Sequence, residues 1–235
     1  MGYQATELQM ALTVSRIVTI HYFEYTSNYS YDGESHPFWE FLYVDKGEVE
    51  VSGDDRQYVL KKGQMIFHKP GEFHKLWANG EVAPNLVVIS FECDSPAMRF
   101  FENRVLAAGD VERDCMAAVI SEAQSAFATP LNDPDTQLLE RRPEAPFAAE
   151  QVIRLNLEWM LIHLLRTARC AATRSPAPRE PSGGVRWQMI SNVSAPCRHK
   201  VPSSVTRSTV SGQRSASRRA VRSWASPASA SSSSV

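Results

Sequence analysis

Gly33-Glu34-Ser35-His36-Pro37-Phe38-Trp39-Glu40-Phe41-Leu42-Tyr43-Val44-Asp45-Lys46-Gly47 opens the stretch on which the fold turns, and Gly63 to Asn79 closes it. The first part reads His36-x3-Glu40-x6-Gly47, and the second reads Gly63-x6-Pro70-x3-His74-x4-Asn79. If His36 to Val44 is a strand, His36 and Glu40 share a face with Phe38 and Leu42, because strand side chains alternate. A carboxylate facing inward is costly unless paired or hydrogen-bonded. A His–Glu pair opposite His74 therefore reads as a ligand site, a metal site or a self-satisfied polar cluster.

Outward from this stretch the chain reads as β structure. Ile17 to Glu24 alternates and forms a strand, and residues 25–35 are polar and turn-like. Asp45-Lys46-Gly47, Gly53-Asp54-Asp55 and Lys61-Lys62-Gly63 are turns between short strands near 48–52, 58–60 and 65–68. Phe73 to Trp77 and Leu86 to Cys93 complete the series. Short strands at close spacing, with no helix between them, indicate an antiparallel barrel or sandwich. After Asp94 the pattern changes. Ser95-Pro96 suits a helix start, and helices are expected over 96–107 and about 110–127, followed by a proline-rich loop over 128–146.

Residues 147–169 give the strongest helical pattern. Ile153, Leu157, Met160 and Leu164 make one apolar stripe, and Val152, Leu155, Trp159 and Ile162 make another. A helix apolar on two faces needs two partners. The second stripe is therefore expected to be a homodimer interface.

Charge divides the chain. Residues 1–170 carry a net −10 and residues 171–235 a net +9. The basic segment holds 17 serines and no apolar periodicity, so disorder is expected there. No stretch reaches the apolar length of a membrane span, and no signal peptide is visible. Four cysteines lie far apart with no metal spacing, which suggests reduced thiols in the cytoplasm.

The stretch 33–79 resembles the two motifs of cupins, G-x5-HxH-x3,4-E-x6-G and G-x5-PxG-x2-H-x3-N. The leading histidine of the first motif is absent, with Glu34 in its place. The wider run, HYFEY through HPFWEFLYVDKGEVEV, GQMIFHKPGEFH, APNLVVISFECDSPAMRFF and the long helix, is similar to the sensor domains of AraC-family transcription regulators. The resemblance covers roughly residues 18–170. It implies a cupin-type jelly-roll barrel over 17–94 after an N-terminal segment 1–16, a helical dimerisation segment over 95–170, and a tail over 171–235.

The same resemblance implies a small polar, sugar-like effector held by His36, Glu40, His74 and Trp77. It implies no catalysis, no cofactor and no metal, since one expected ligand is missing. DNA would be reached through a helix-turn-helix domain, for which residues 171–235 show no apolar pattern. The abrupt shift after Ala172 is read as out-of-frame translation in its place. A metal-dependent cupin enzyme, an isomerase or dioxygenase, is the alternative.

Overall fold

The computed structural model describes residues 2–174. Nine strands come first: β1 (Arg16–Glu24), β2 (Ser30–Glu34), β3 (Trp39–Lys46), β4 (Glu48–Gly53), β5 (Arg56–Lys61), β6 (Gln64–His68), β7 (His74–Trp77), β8 (Asn85–Glu92) and β9 (Val105–Ala107). A 3-10 helix over Pro96–Phe101 precedes β9, and the helices α1 (Asp110–Ala126) and α2 (Ala149–Arg174) follow. The strands form two antiparallel sheets, ordered β1-β8-β3-β6-β9 and β2-β7-β4-β5. This is the expected two-sheet, cupin-type barrel followed by helices.

The five-stranded sheet is buried on both faces, and strand alternation explains how. Leu42 and Val44 of β3, Ile66 of β6 and Leu86 and Val88 of β8 point between the sheets and meet Val49, Val51 and Leu60. Their neighbours Phe41, Tyr43, Phe67, Val87 and Ile89 point the other way. There they meet α1 and α2 through Met116, Ile120, Ile153, Leu157 and Met160. Each such side chain contributes roughly 1.5–3 kcal/mol on burial. One sheet thus joins the barrel interior to the helical layer.

Three local expectations change. The turn-like segment 25–35 contains β2, whose pairing with β7 supplies what its polar sequence does not advertise. Gly33 lies at φ +99°, and a Cβ there would come within 2.6 Å of the His74 carbonyl oxygen, so only glycine allows this approach. The helix expected over 96–107 is a 3-10 helix followed by β9, which pairs with β6 and forms the edge of the sheet. Met98 and Phe101 supply helix-like spacing, but pairing with the sheet decides the second half. The strand expected from His36 begins at Trp39. The remainder of the expected tail lies outside the described residues.

Candidate functional site

The polar groups of the barrel gather at one end. Glu40 stands opposite Ser90 on β8 and opposite His68 on β6, and Ser90 stands opposite Thr19 on β1. A row of polar side chains therefore crosses four strands. Thr19 Oγ1 donates to Ser90 Oγ at 2.9 Å, and Ser90 Oγ donates to Glu40 Oε2 at 2.8 Å.

His36 precedes β3 rather than lying in it, yet it still reaches Glu40. Its Nε2 stands 3.6 Å from Glu40 Oε2, while its Nδ1 faces the Phe38 carbonyl at 3.0 Å. His74, the first residue of β7, points inward and places Nε2 3.4 Å from Glu40 Oε1. Neither Nε2 meets an acceptor in good hydrogen-bond geometry, and both atoms are buried. Burial alone would raise the Glu40 pKa. The His36 and His74 imidazoles outweigh that effect and hold the carboxyl well below the usual carboxylate range. Burial would lower the His74 pKa, but the Glu40 carboxylate wins and raises it.

Glu34, at the end of β2, joins these three. Ligating atoms of Glu34, His36, Glu40 and His74 all lie within 4.8 Å of one another. The sequence shows Glu34 in the place of the missing histidine, and the fold brings its carboxylate to the cluster.

Beside the cluster lies a cavity of about 340 Å³. Glu34, Glu40 and Ser90 line it at the polar end, and Phe23, Tyr25 and Tyr31 contribute aromatic wall. Pro134, Thr136 and Gln137, from the loop after α1, also line it. His21 of β1 faces the same space, and burial pulls its pKa below the ordinary histidine value.

His21, Thr136 and Gln137 were not among the expected site residues. His21 sits in an alternating strand with nothing to mark it, and the other two lie more than fifty residues beyond the second motif. Of the four expected contacts Glu40 lines the cavity, His36 and His74 meet Glu40 without lining it, and Trp77 does not line it. Strand alternation sends Leu76 to the cavity and Trp77 to the opposite face, where the Lys75 ammonium lies 5.5 Å from its ring centroid.

On α2 the first stripe is fully buried, whereas Leu155 and Trp159 are 54% and 44% exposed. Val152 and Ile162 are half-buried. No helix among the described residues is long and apolar enough to cross a membrane.

Similar solved structures include a conserved protein of unknown function from Streptococcus pyogenes, 20% identical with a TM-score of 0.31 over 33% of this chain and 67% of that one. Another is a Bacillus halodurans protein, 18% identical with a TM-score of 0.31 over 32% of this chain and 63% of that one. A cupin superfamily protein from Desulfitobacterium hafniense is 22% identical with a TM-score of 0.31 over 38% of this chain and 84% of that one. No curated protein matches the chain. Residues 17–100, which hold strands β1 to β8 and most of the cavity lining, match the family model of the AraC-like ligand binding domain.

Proposed function

We propose that this chain carries the effector-sensing part of an AraC-type transcription regulator, which binds a small polar molecule inside the barrel. One observation carries the reading: in an AraC-like ligand-binding segment, buried nitrogens of His21, which lines the cavity, and of His36 and His74, which stand on Glu40 beside it, have no hydrogen-bond partners. Leaving a buried polar atom unpaired costs about 1–3 kcal/mol, and a ligand that supplies the partner recovers that cost. A ligand bound only by the native state raises its apparent stability. Thermal-shift screening of small polar molecules, sugars included, tests this. Hits that bind His36→Ala and His74→Ala as tightly as the wild type would place the ligand elsewhere and remove the reading.

In this proposal the barrel performs no chemistry, and the ligand controls DNA binding of a full-length regulator. The chain dimerises through Val152, Leu155, Trp159 and Ile162. Exposed Leu155 and Trp159 are the support, since contiguous apolar surface favours a partner. Light scattering should find a dimer, converted to a monomer by Leu155→Glu with Trp159→Glu. A wild-type monomer at high micromolar concentration would contradict it.

A second reading has an observation of its own. Two imidazoles and two carboxylates converging within 4.8 Å suit a divalent first-row metal. The buried, unpartnered Nε2 atoms of His36 and His74 fit that role. Glu34, His36, Glu40 and His74 would hold such an ion, which would supply Lewis acidity when bound. This favours the metal-dependent cupin enzyme. Elemental analysis of the purified protein decides: the sensing reading expects no stoichiometric metal, and about one ion per chain, lost in His74→Ala, would promote the enzyme.

A further inference from the structure

The cavity is unbalanced in charge. Glu34 and Glu40 line it, and no lysine or arginine does so among the described residues. Its basic side chain, His21, stacks on Phe23 at 4.7 Å and is held toward the neutral form by burial. Glu40 shares its charge with His36 and His74, but Glu34 makes no ion pair among the described residues.

The walls favour the same sign of ligand. Phe23, Tyr25 and Tyr29 form a continuous stack, with ring centroids 4.9 and 3.7 Å apart, and all three line the cavity. Tyr31 and Phe38 add two more rings. Aromatic faces carry partial negative charge and attract cations within about 6 Å.

The third observation concerns hydrogen bonding. His21 is 6% exposed, so its ring nitrogens are cut off from water. Its Nδ1 is buried with no hydrogen-bond partner. A carboxylate pair and an aromatic wall call for a positive charge, and the unpartnered His21 nitrogen calls for a hydrogen-bonding group beside it.

We propose that the cavity binds a small organic ammonium, with its charged head at Glu34 and Glu40, its body against the Phe23–Tyr25–Tyr29 wall and an N–H group directed at His21. This rests on the reading of the cavity as the effector site and narrows the effector class. A neutral sugar leaves the Glu34 charge unanswered, and a carboxylate ligand is repelled by it. A cavity of about 340 Å³ suits an ammonium with a single ring as its body.

The test is calorimetry on the full chain after EDTA treatment, with benzylamine, benzyl alcohol, benzoate and xylose as probes. Benzylamine should bind at least about tenfold tighter than benzyl alcohol, and benzoate should not bind. The preference should fall to about threefold or less in Glu40→Gln and in Glu34→Gln, the latter an exposed position whose change leaves the core intact. Benzyl alcohol or xylose binding as tightly as benzylamine, and weakened by Tyr25→Ala, would overturn the cation while leaving the effector cavity standing. Benzylamine preference unchanged in both glutamine variants would place the cation outside the cavity and overturn the proposal. No binding by any probe would remove the proposal and the effector cavity together.

Discussion

The barrel contains two histidine–glutamate pairs with the same i,i+4 spacing, and they have opposite characters. His36–Glu40 and His68–Glu72 stand at 3.6 and 3.4 Å. They are neighbours, with the His68 and His74 rings stacked at 4.2 Å and the His36 and His74 rings edge-on at 4.9 Å. The His68–Glu72 pair is saturated. Glu72 takes His68 Nδ1, accepts the Lys69 backbone N–H at 3.1 Å and has the Lys69 ammonium at 3.5 Å. Gly53 makes room for it, since a Cβ there would sit 1.8 Å from Glu72 Oε1. The His36–Glu40 pair meets the cavity through Glu40, and the Nε2 atoms of His36 and of the adjoining His74 have no partners. Residue type and burial are shared, so unmet bonding capacity is what separates a site from a strut.

The largest effect expected from this contrast is on stability. Glu72→Ala leaves His68 buried without its partner and should cost about 3–5 kcal/mol in chemical denaturation, with ligand affinity changed by no more than about twofold. A small stability loss would place the two pairs in one class.

Acid titration sharpens the same point. Burial raises the Glu72 carboxyl, but His68 and the Lys69 amide lower it further, to about 2 from the ordinary 4.5. A depressed folded-state pKa stabilises the fold above the unfolded value, and that stability is lost as the pH falls through the folded one. Melting temperature in the wild type should therefore fall more steeply between pH 4.5 and about 2 than in Glu72→Gln. Parallel curves would mean that the pair contributes nothing.

His74→Ala should show the reverse signature to Glu72→Ala: affinity reduced at least about tenfold, with a smaller loss of stability than Glu72→Ala, because Glu40 keeps His36 and Ser90 as partners. The smallest effect is expected for Trp77→Ala, where affinity should stay within about twofold because the ring lies on the outer face. A Trp77 variant that loses binding would mean the strand is turned over.

Most of the barrel was legible because its strands announce themselves twice, by alternation and by bounding turns. Asp45-Lys46-Gly47 and Lys61-Lys62-Gly63 stand where β3–β4 and β5–β6 turn. β2 was hidden because Ser30–Glu34 has no apolar alternation and owes its order to β7. β9 was hidden because its short run continues the spacing of the preceding helical turn. In the site, His36, Glu40 and His74 stood out by motif and do converge, although His36 arrives from the loop between β2 and β3 and not from a strand. Glu34 was visible as an absence, a glutamate in a histidine's place. His21 and Thr136 carried no sequence signal, since their unpaired atoms are a property of the folded surroundings. Trp77 was attractive by composition and excluded by strand parity.

The contrast between the two pairs is tested most directly by calorimetric titration of the tightest-binding probe into the wild type, His74→Ala and Glu72→Gln under one condition. The account predicts near-wild-type affinity for Glu72→Gln despite its lower melting temperature, and at least about tenfold weaker binding for His74→Ala despite a preserved fold. Equal affinity in all three proteins would contradict it, because a cavity that binds without His74 is not the site described.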